Sequence, residues 1–402
     1  MCDGRDLVTY LDLGFTAPAD QFRKPEELDL PEISYPLRVN LCRSCGLSQL
    51  SHVVDPRVLY QFDYPYESSI TKTGLAHWNE FAEKVIARLA LPANALVVDA
   101  GSNDGTLLFC FKERGMRVMG VDPAPNIVEI ANQRGIETIC AFFGDAAADD
   151  VKQRAGAAEV ITGTNVYAHV DDLAGFMTAA ARLLTDTGVF IFESPQFRHL
   201  VSNLEYDTIY HEHLSYLSLK PVAAFVKRFG LEVFAVEESD IHGGSFRVYI
   251  GREGKRPIDA SVTALLEQEA AARIHELPTL QEFATRVAEN RRKLMQLVEG
   301  LLKDGKTIAI VSTPAKGMTL LNYCGFSTRH VLFASEKARL KIGRVTPGGH
   351  IPIVPDDRLI EVRPDYALLL AWNFSKEIMA NLKPYADKGG RFIIPIPDPT
   401  IV

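Results

Sequence analysis

The stretch ALVVDAGSNDG, residues 95–105, constrains the fold of this chain more than any other. A short apolar run ends in an acid, Asp99, and then in a turn with glycines at 101 and 105. TLLFCFKERG follows with helical character, and RVMGVDP supplies a second apolar run. Strand, turn, helix, strand is a βαβ unit. EVITGTNV and GVFIFESP are further strand candidates, while FAVEESD and SFRVYIG read as a later hairpin. Residues from about 70 to 252 therefore predict an α/β domain on a mainly parallel sheet.

The chain has 402 residues, too many for a single core, so two or three domains are expected. Residues 1–66 are rich in Pro, Tyr and acids and carry no long helical period. TKTGLAHWNEFAEKVIARLAL has Leu75, Trp78, Phe81, Val85 and Leu89 at helical spacing, and Pro92 ends the run. After the α/β region, Ile258 to Lys303 reads as a polar helical connector with one buried face. TIAIVSTPAKG then opens a second strand–loop–helix pattern, with VLFASE, YALLLAW and RFIIPIP as further strands. The expected division is residues 1–66, 67–303 and 304–402.

A formal charge of −8 argues against a general nucleic-acid binder. No apolar run approaches the roughly 20 residues of a membrane span, and the N-terminus does not read as a signal peptide. Six cysteines, with one CxxC at Cys42 and Cys45, fit a reducing compartment, so the chain is expected to be cytoplasmic.

The turn after Asp99 has the form DxGxxxG. A nicotinamide site would read GxGxxG, so the glycine that admits a pyrophosphate is missing. Gly101 permits close backbone approach, Gly105 relaxes the turn into its helix, and Ser102 and Asn103 lie between them. Asp122, 23 positions beyond Asp99, ends the next strand where an acid accepts from ribose hydroxyls. Loop and acid together favour S-adenosylmethionine over NAD. Asn165 and His169, in NVYAH, follow the third strand and open toward the same crevice.

DTIYHEHLSY, residues 207–216, is the densest polar cluster. His211 and His213 are two apart, not the four of a helical zinc pair, and no third ligand is evident beside them. Acid/base chemistry suits the segment better. A histidine takes a proton near neutral pH, a carboxylate such as Glu212 orients it, and a hydroxyl such as that of Tyr210 bonds a developing oxyanion. Downstream, HGGSFRV places His242 and Gly243 before a strand, in a turn able to line the same cavity.

GSNDGTLL, NVYAHV, YDTIYHEHLSY, HGGSFRV and STPAKGMTLLNY, in that order, resemble the SAM-dependent sugar-nucleotide C-methyltransferases, of which the deoxysugar 3-C-methyltransferases are the best-known type. The resemblance implies an N-terminal zinc-binding module, a central class I methyltransferase domain and a C-terminal Rossmann-like domain that helps hold a nucleotide sugar. It implies a 4-keto deoxysugar on a nucleoside diphosphate, often dTDP, methylated on carbon through an enolate. By resemblance His213 is the base, with Tyr210, Glu212, His169 and Tyr64 around it. Base and oxyanion partner are not assigned uniquely by the sequence.

Members of that family open with one CxxC and carry a second some forty residues on, together holding one zinc. Here Cys2 matches the second cysteine of the first pair, and Cys42 and Cys45 match the second pair. Either the missing cysteine lies upstream, or three thiolates share the ion with another ligand, for which His52 is a candidate. In the C-terminal region Lys316 and Asn322 lie in an anion-binding type of turn and helix, without Walker spacing. The resemblance points to the substrate pyrophosphate there, with Arg344 and His350 closing the pocket. The competing readings are N- or O-methylation by the same fold, and an inactive zinc/SAM-fold adaptor.

Overall fold

The structure, a computed structural model, describes residues 1–61, 64, 72–239 and 243–402, with Lys72 and Thr73 by backbone alone. His242 lies outside the described residues. Three sheets organise the chain.

The central sheet has seven strands: β1 (Leu96–Ala100), β2 (Arg117–Asp122), β3 (Thr138–Cys140), β4 (Ala158–Thr164), β5 (Leu184–Pro195), β6 (Leu231–Ser239) and β7 (Ser245–Arg252). Their order across the sheet is β3-β2-β1-β4-β5-β7-β6. Strands β3 to β5 run parallel, and β7 enters antiparallel between β5 and β6. The order in which strands are laid into the sheet reverses between β1 and β4, although the strands stay parallel. Ligands of open α/β sheets bind at such a switch point, outside the carboxyl ends of the strands. This is a Rossmann-like class I methyltransferase architecture. The expected hairpin is present, with Ser239 opposite Ser245. Strand β3 carried no strand signal in the sequence, because three residues are too few to display a period.

The first sheet was not foreseen. Leu7–Thr16, Tyr35–Cys42 and Ser48–Leu50 form an antiparallel meander. Register shifts after Thr9 and Asp12 break the two-residue alternation that would have announced the first strand. Its fourth strand is Ser215–Tyr216, from the central region of the chain, with Ser48 opposite Tyr216.

The C-terminal sheet orders Ile353–Pro355, Ala334–Glu336, Ile308–Val311, Tyr366–Leu369, Arg391–Ile394 and Thr400–Ile401; only the last pairing is antiparallel. The expected connector is two helices, Ala260–Ala271 and Leu277–Lys303. Between them Arg273 takes a left-handed conformation that no helix interior accepts. The longer helix buries Leu280, Phe283, Val287, Leu294 and Val298. These side chains join Leu37 and Val39 of the first sheet and Ile308 and Ile393 of the third in one core. The helix thus binds the N-terminal module to the C-terminal domain by a shared apolar stripe. The helix Lys72–Leu89 buries Trp78, Phe81 and Val85 as expected, whereas Leu75 is exposed.

Candidate functional site

A cavity of about 870 Å³ opens at the switch point of the central sheet and is lined by all three regions of the chain. That volume suits a small-molecule site.

One end is the turn after β1. Gly101 has φ +73°, and its N–H and that of Ser102 both donate to Val121 O, at 2.7 and 3.2 Å. A Cβ on Gly101 would sit 2.3 Å from Val166 Cγ2 in the loop after β4. Gly105, at φ +77°, starts the helix Thr106–Lys112 and lies behind the turn rather than in the cavity wall. Asp122 accepts from Asn103 N and Ala124 N, both at 2.9 Å, which fixes the carboxylate at the strand end. Burial nevertheless pushes its pKa up. Asp99 accepts from Thr162 Oγ1 at 2.6 Å; burial raises it to about 7, with the Asp122 charge adding to the rise. Asn165, at φ +55°, donates its N–H to Glu193 O at 2.7 Å and lines the same end. Ser102 Oγ is enclosed without a hydrogen-bond partner. Two strand-end carboxyls, a glycine-limited approach and an orphan hydroxyl fit a cationic nucleoside such as S-adenosylmethionine.

The other end is the 207–216 segment. His213 Nδ1 lies 2.6 Å from Thr208 O. A carbonyl only accepts, so Nδ1 carries the hydrogen and the lone pair of the neutral ring is on Nε2. The ring packs on Tyr210 with centroids 4.1 Å apart, and on His169 at 4.8 Å. Burial holds His169 well below the usual histidine range, and the neighbouring His213 lowers it further. Tyr60 OH lies 3.1 Å from His169 Nδ1. Tyr64 OH donates to Glu212 Oε2 at 3.3 Å. Burial, and then the Glu212 charge, raise both tyrosines well above their ordinary value, so they keep their hydroxyl hydrogens. His211 is excluded from this group. It is buried against Tyr35 at the back of the segment.

The segment is held from both sides. Leu50 N donates to Leu214 O at 2.9 Å, tying it to the N-terminal sheet. Thr319 Oγ1 donates to Ile209 O at 2.8 Å, tying it to the C-terminal domain. Trp372 Nε1 donates to Asp207 Oδ2 at 2.7 Å.

The C-terminal wall comprises the loop Ser312–Lys316 at the start of the helix Ala315–Cys324, with Glu336, Lys341 and Asn373. Lys316 donates to Asn373 Oδ1 at 2.6 Å, lies over the Trp372 ring and stands 3.9 Å from Asp207. Burial lowers its pKa. Four expected contacts lie elsewhere. Asn322 donates to Met318 O one turn back and packs beneath the Pro347–Gly348 turn. Arg344 donates to Phe22 O at 3.3 Å, and His350 Nε2 lies 2.8 Å from Glu32 Oε2. Both fasten the domain to the N-terminal module instead of closing the pocket. Gly243 O accepts from Asn203 Nδ2, away from the cavity wall.

Asp20, Tyr60, Glu336 and Lys341 line the cavity and were not anticipated. Tyr60 had a weak signal, lying four residues before Tyr64 in an aromatic-rich run. Asp20 and Lys341 had none, because their role depends on a contact between distant segments.

Cys2, Cys42 and Cys45 bring their sulfurs within 4.8 Å of one another, with Cys2 and Cys42 at 3.5 Å. Tetrahedral zinc with Zn–S bonds of about 2.3 Å needs such spacings, so the donor set fits. His52 does not join them. It stacks on Tyr35, and no fourth His, Cys, Asp or Glu completes the group among the described residues.

Residues 1–60 match the family described as "Putative zinc binding domain", residues 75–236 that described as "Methyltransferase domain", and residues 240–397 that described as "C-methyltransferase C-terminal domain". The chain is 36% identical over 403 residues to the C-methyltransferase NovU of Streptomyces niveus, covering 100% of this chain and 96% of that protein. It is 31% identical over 106 residues to a ubiquinone biosynthesis O-methyltransferase of Xanthomonas oryzae, covering 26% of this chain and 44% of that protein. Among solved structures, an S-adenosylmethionine-dependent methyltransferase from Clostridium acetobutylicum covers 45% of this chain and 92% of its own, with 13% identity and a TM-score of 0.36.

Proposed function

The chain belongs to the S-adenosylmethionine-dependent C-methyltransferase family, and on that premise we propose that its acceptor is a 4-keto deoxysugar carried on a nucleoside diphosphate, of the dTDP type. The observation that carries this reading is the single cavity. It joins the nucleoside-type pocket at Asp99 and Asp122 to the acid/base group at His213, with Lys316 on the opposite wall.

When bound, the cofactor supplies a methyl group on a sulfonium, an electrophile for a carbanion. Asp122 accepts from the ribose hydroxyls, and Asp99 faces the cationic end. His213 Nε2 takes the proton α to the ketone; the C–H pair forms the C=C bond of an enolate, and the carbonyl π pair moves to its oxygen. Tyr210 or His169 donates a hydrogen bond to that oxygen. Lys316 and the helix start beside it meet the pyrophosphate. An amine is methylated by a sulfonium with little help, and a hydroxyl calls for a base but no oxyanion donor, so the base and oxyanion donor together favour carbon. Incubation with SAM and a dTDP-4-keto-6-deoxy sugar in deuterated water is expected to give a product gaining one carbon-bound methyl, with α-deuterium exchange preceding transfer. Retention of every α-proton during turnover would rule out the enolate.

The raised Asp99 gives a pH test. Its carboxyl is protonated in the free protein below about 7. A cationic ligand stabilises the ionised form, so affinity for SAM is expected to rise as pH goes from 6 to 8, by up to about tenfold per pH unit. Isothermal titration across that range should show the rise, and Asp99→Asn should flatten it. A flat wild-type profile would place the cation elsewhere.

We also propose that the three thiols hold a structural zinc ion. Elemental analysis should find zinc near one per chain, lost in Cys42→Ser. Chelation should lower Tm, since metal binding and folding are coupled. A metal-free protein of unchanged Tm would refute this.

A further inference from the structure

Two carboxyl oxygens, Asp20 Oδ1 and Glu212 Oε1, are enclosed with no N–H or O–H donor directed at them among the described residues. Asp20 comes from the N-terminal module, Glu212 from the 207–216 segment, and both line the cavity. The two carboxyls lie within reach of each other, and each acts on the other's ionisation. Ionised carboxylates only accept, so the two can bond each other only with a proton between them.

The surrounding charges allow one anion, not two. Lys341 Nζ stands 3.8 Å from Asp20 Oδ1, too far for a hydrogen bond, while it donates to Thr313 O at 2.7 Å and lies over Phe22. Glu336 also draws on Lys341 from its far side, and is itself held by Thr313 N and Oγ1 at 2.7 and 2.6 Å. From the central cluster, Tyr60 and Tyr64 face the pair, and the Tyr64 hydroxyl donates to Glu212. Among the described residues, a second buried anion here would be left without a cation of its own.

We propose that Asp20 and Glu212 share a single proton across the module boundary, so that Glu212 faces the cavity as a neutral acid and Asp20 is a positioning residue for the transfer. The role rests on the enolate reading above. A charged Glu212 beside the carbon from which His213 takes a proton would oppose the developing negative charge. The shared proton removes that opposition and stays on the pair throughout. Burial and the mutual repulsion of the two carboxyls both favour retaining it. The arrangement also makes the acid/base cluster depend on docking of the N-terminal module.

The test is infrared difference spectroscopy of the protonated-carboxyl C=O band against pH, on the protein without substrate. The outcome is therefore independent of the acceptor. Other buried acids cancel between wild type and variant. The pH at which the band is lost is expected to fall by at least about one unit in Asp20→Asn, where the like charge is gone. It is expected to rise in Lys341→Met, where the cation is gone. The alkaline limb of kcat should follow the same two directions while SAM affinity is unchanged, a pattern that simple structural damage does not produce. An identical midpoint in wild type and Asp20→Asn would overturn the proposal. If that variant does not fold, a midpoint unmoved in Lys341→Met would overturn it equally.

Discussion

His213→Asn is expected to lower methyl transfer by about 10²–10⁴-fold, the usual loss on removing a positioned general base. The choice of asparagine matters. Its amide can still donate to Thr208 O, the bond that orients the native ring at 2.6 Å. The loop should therefore keep its place, and only the lone pair on Nε2 is lost. SAM affinity should be unchanged, because His213 belongs to the end of the cavity opposite Asp99 and Asp122. Deuterium exchange at the α carbon should disappear together with transfer. His169→Asn makes the comparison informative. Burial keeps His169 neutral and a poor base, so its loss should lower turnover while leaving some exchange. Exchange that survives in His213→Asn and vanishes in His169→Asn would reverse the two roles.

Gly101→Ala is expected to weaken SAM binding by at least about tenfold, equivalent to about 1.4 kcal/mol. Two costs combine. An alanine at φ +73° is strained by about 1–2 kcal/mol. Its Cβ would also lie 2.3 Å from Val166 Cγ2 and 3.0 Å from Cγ1, so one of the two loops that form the crevice must move. The turn cannot shift freely, since Gly101 N and Ser102 N are bonded to Val121 O and Asn103 N to Asp122. Adding Val166→Ala removes the nearest contacts and leaves the backbone strain. The double variant should recover part of the affinity, and a cycle with Val166→Ala alone separates the two costs. Titration calorimetry reads all four proteins. Wild-type affinity in Gly101→Ala would mean that the backbone at this position does not approach the ligand.

Much of the central domain was legible before folding was considered. The strand ending at Asp99, its glycine turn, the strand ending at Asp122 and the late hairpin are local patterns. A strand's face and a turn's glycine are written within ten residues of sequence, because burial on one face and left-handed backbone are local requirements. The dense 207–216 segment likewise announced itself by composition. The meaning of that segment did not. Its last residues become the outer strand of the N-terminal sheet, opposite Ser48 and Gln49, and two residues of any composition would serve that pairing. The bulged first strand lost its alternation, and β3 was too short to have one.

The same limit applies to the site. Asp99 and Asp122 could be placed at strand ends from their own neighbourhoods, whereas the role given to His213 came from the resemblance. Asp20 and Lys341 could not be placed, since an acid after Pro18-Ala19 and a lysine in a basic loop look like solvated surface. Arg344 and His350 were expected at the ligand, and the fold engages them with Phe22 and Glu32 of the N-terminal module. The sequence by itself determined the parallel sheet and the crevice at its strand ends. The tertiary structure alone decided which distant charges meet in that crevice, because their pairing depends on how the long helix packs the first sheet against the third, and no residue carries a local record of a partner hundreds of positions away.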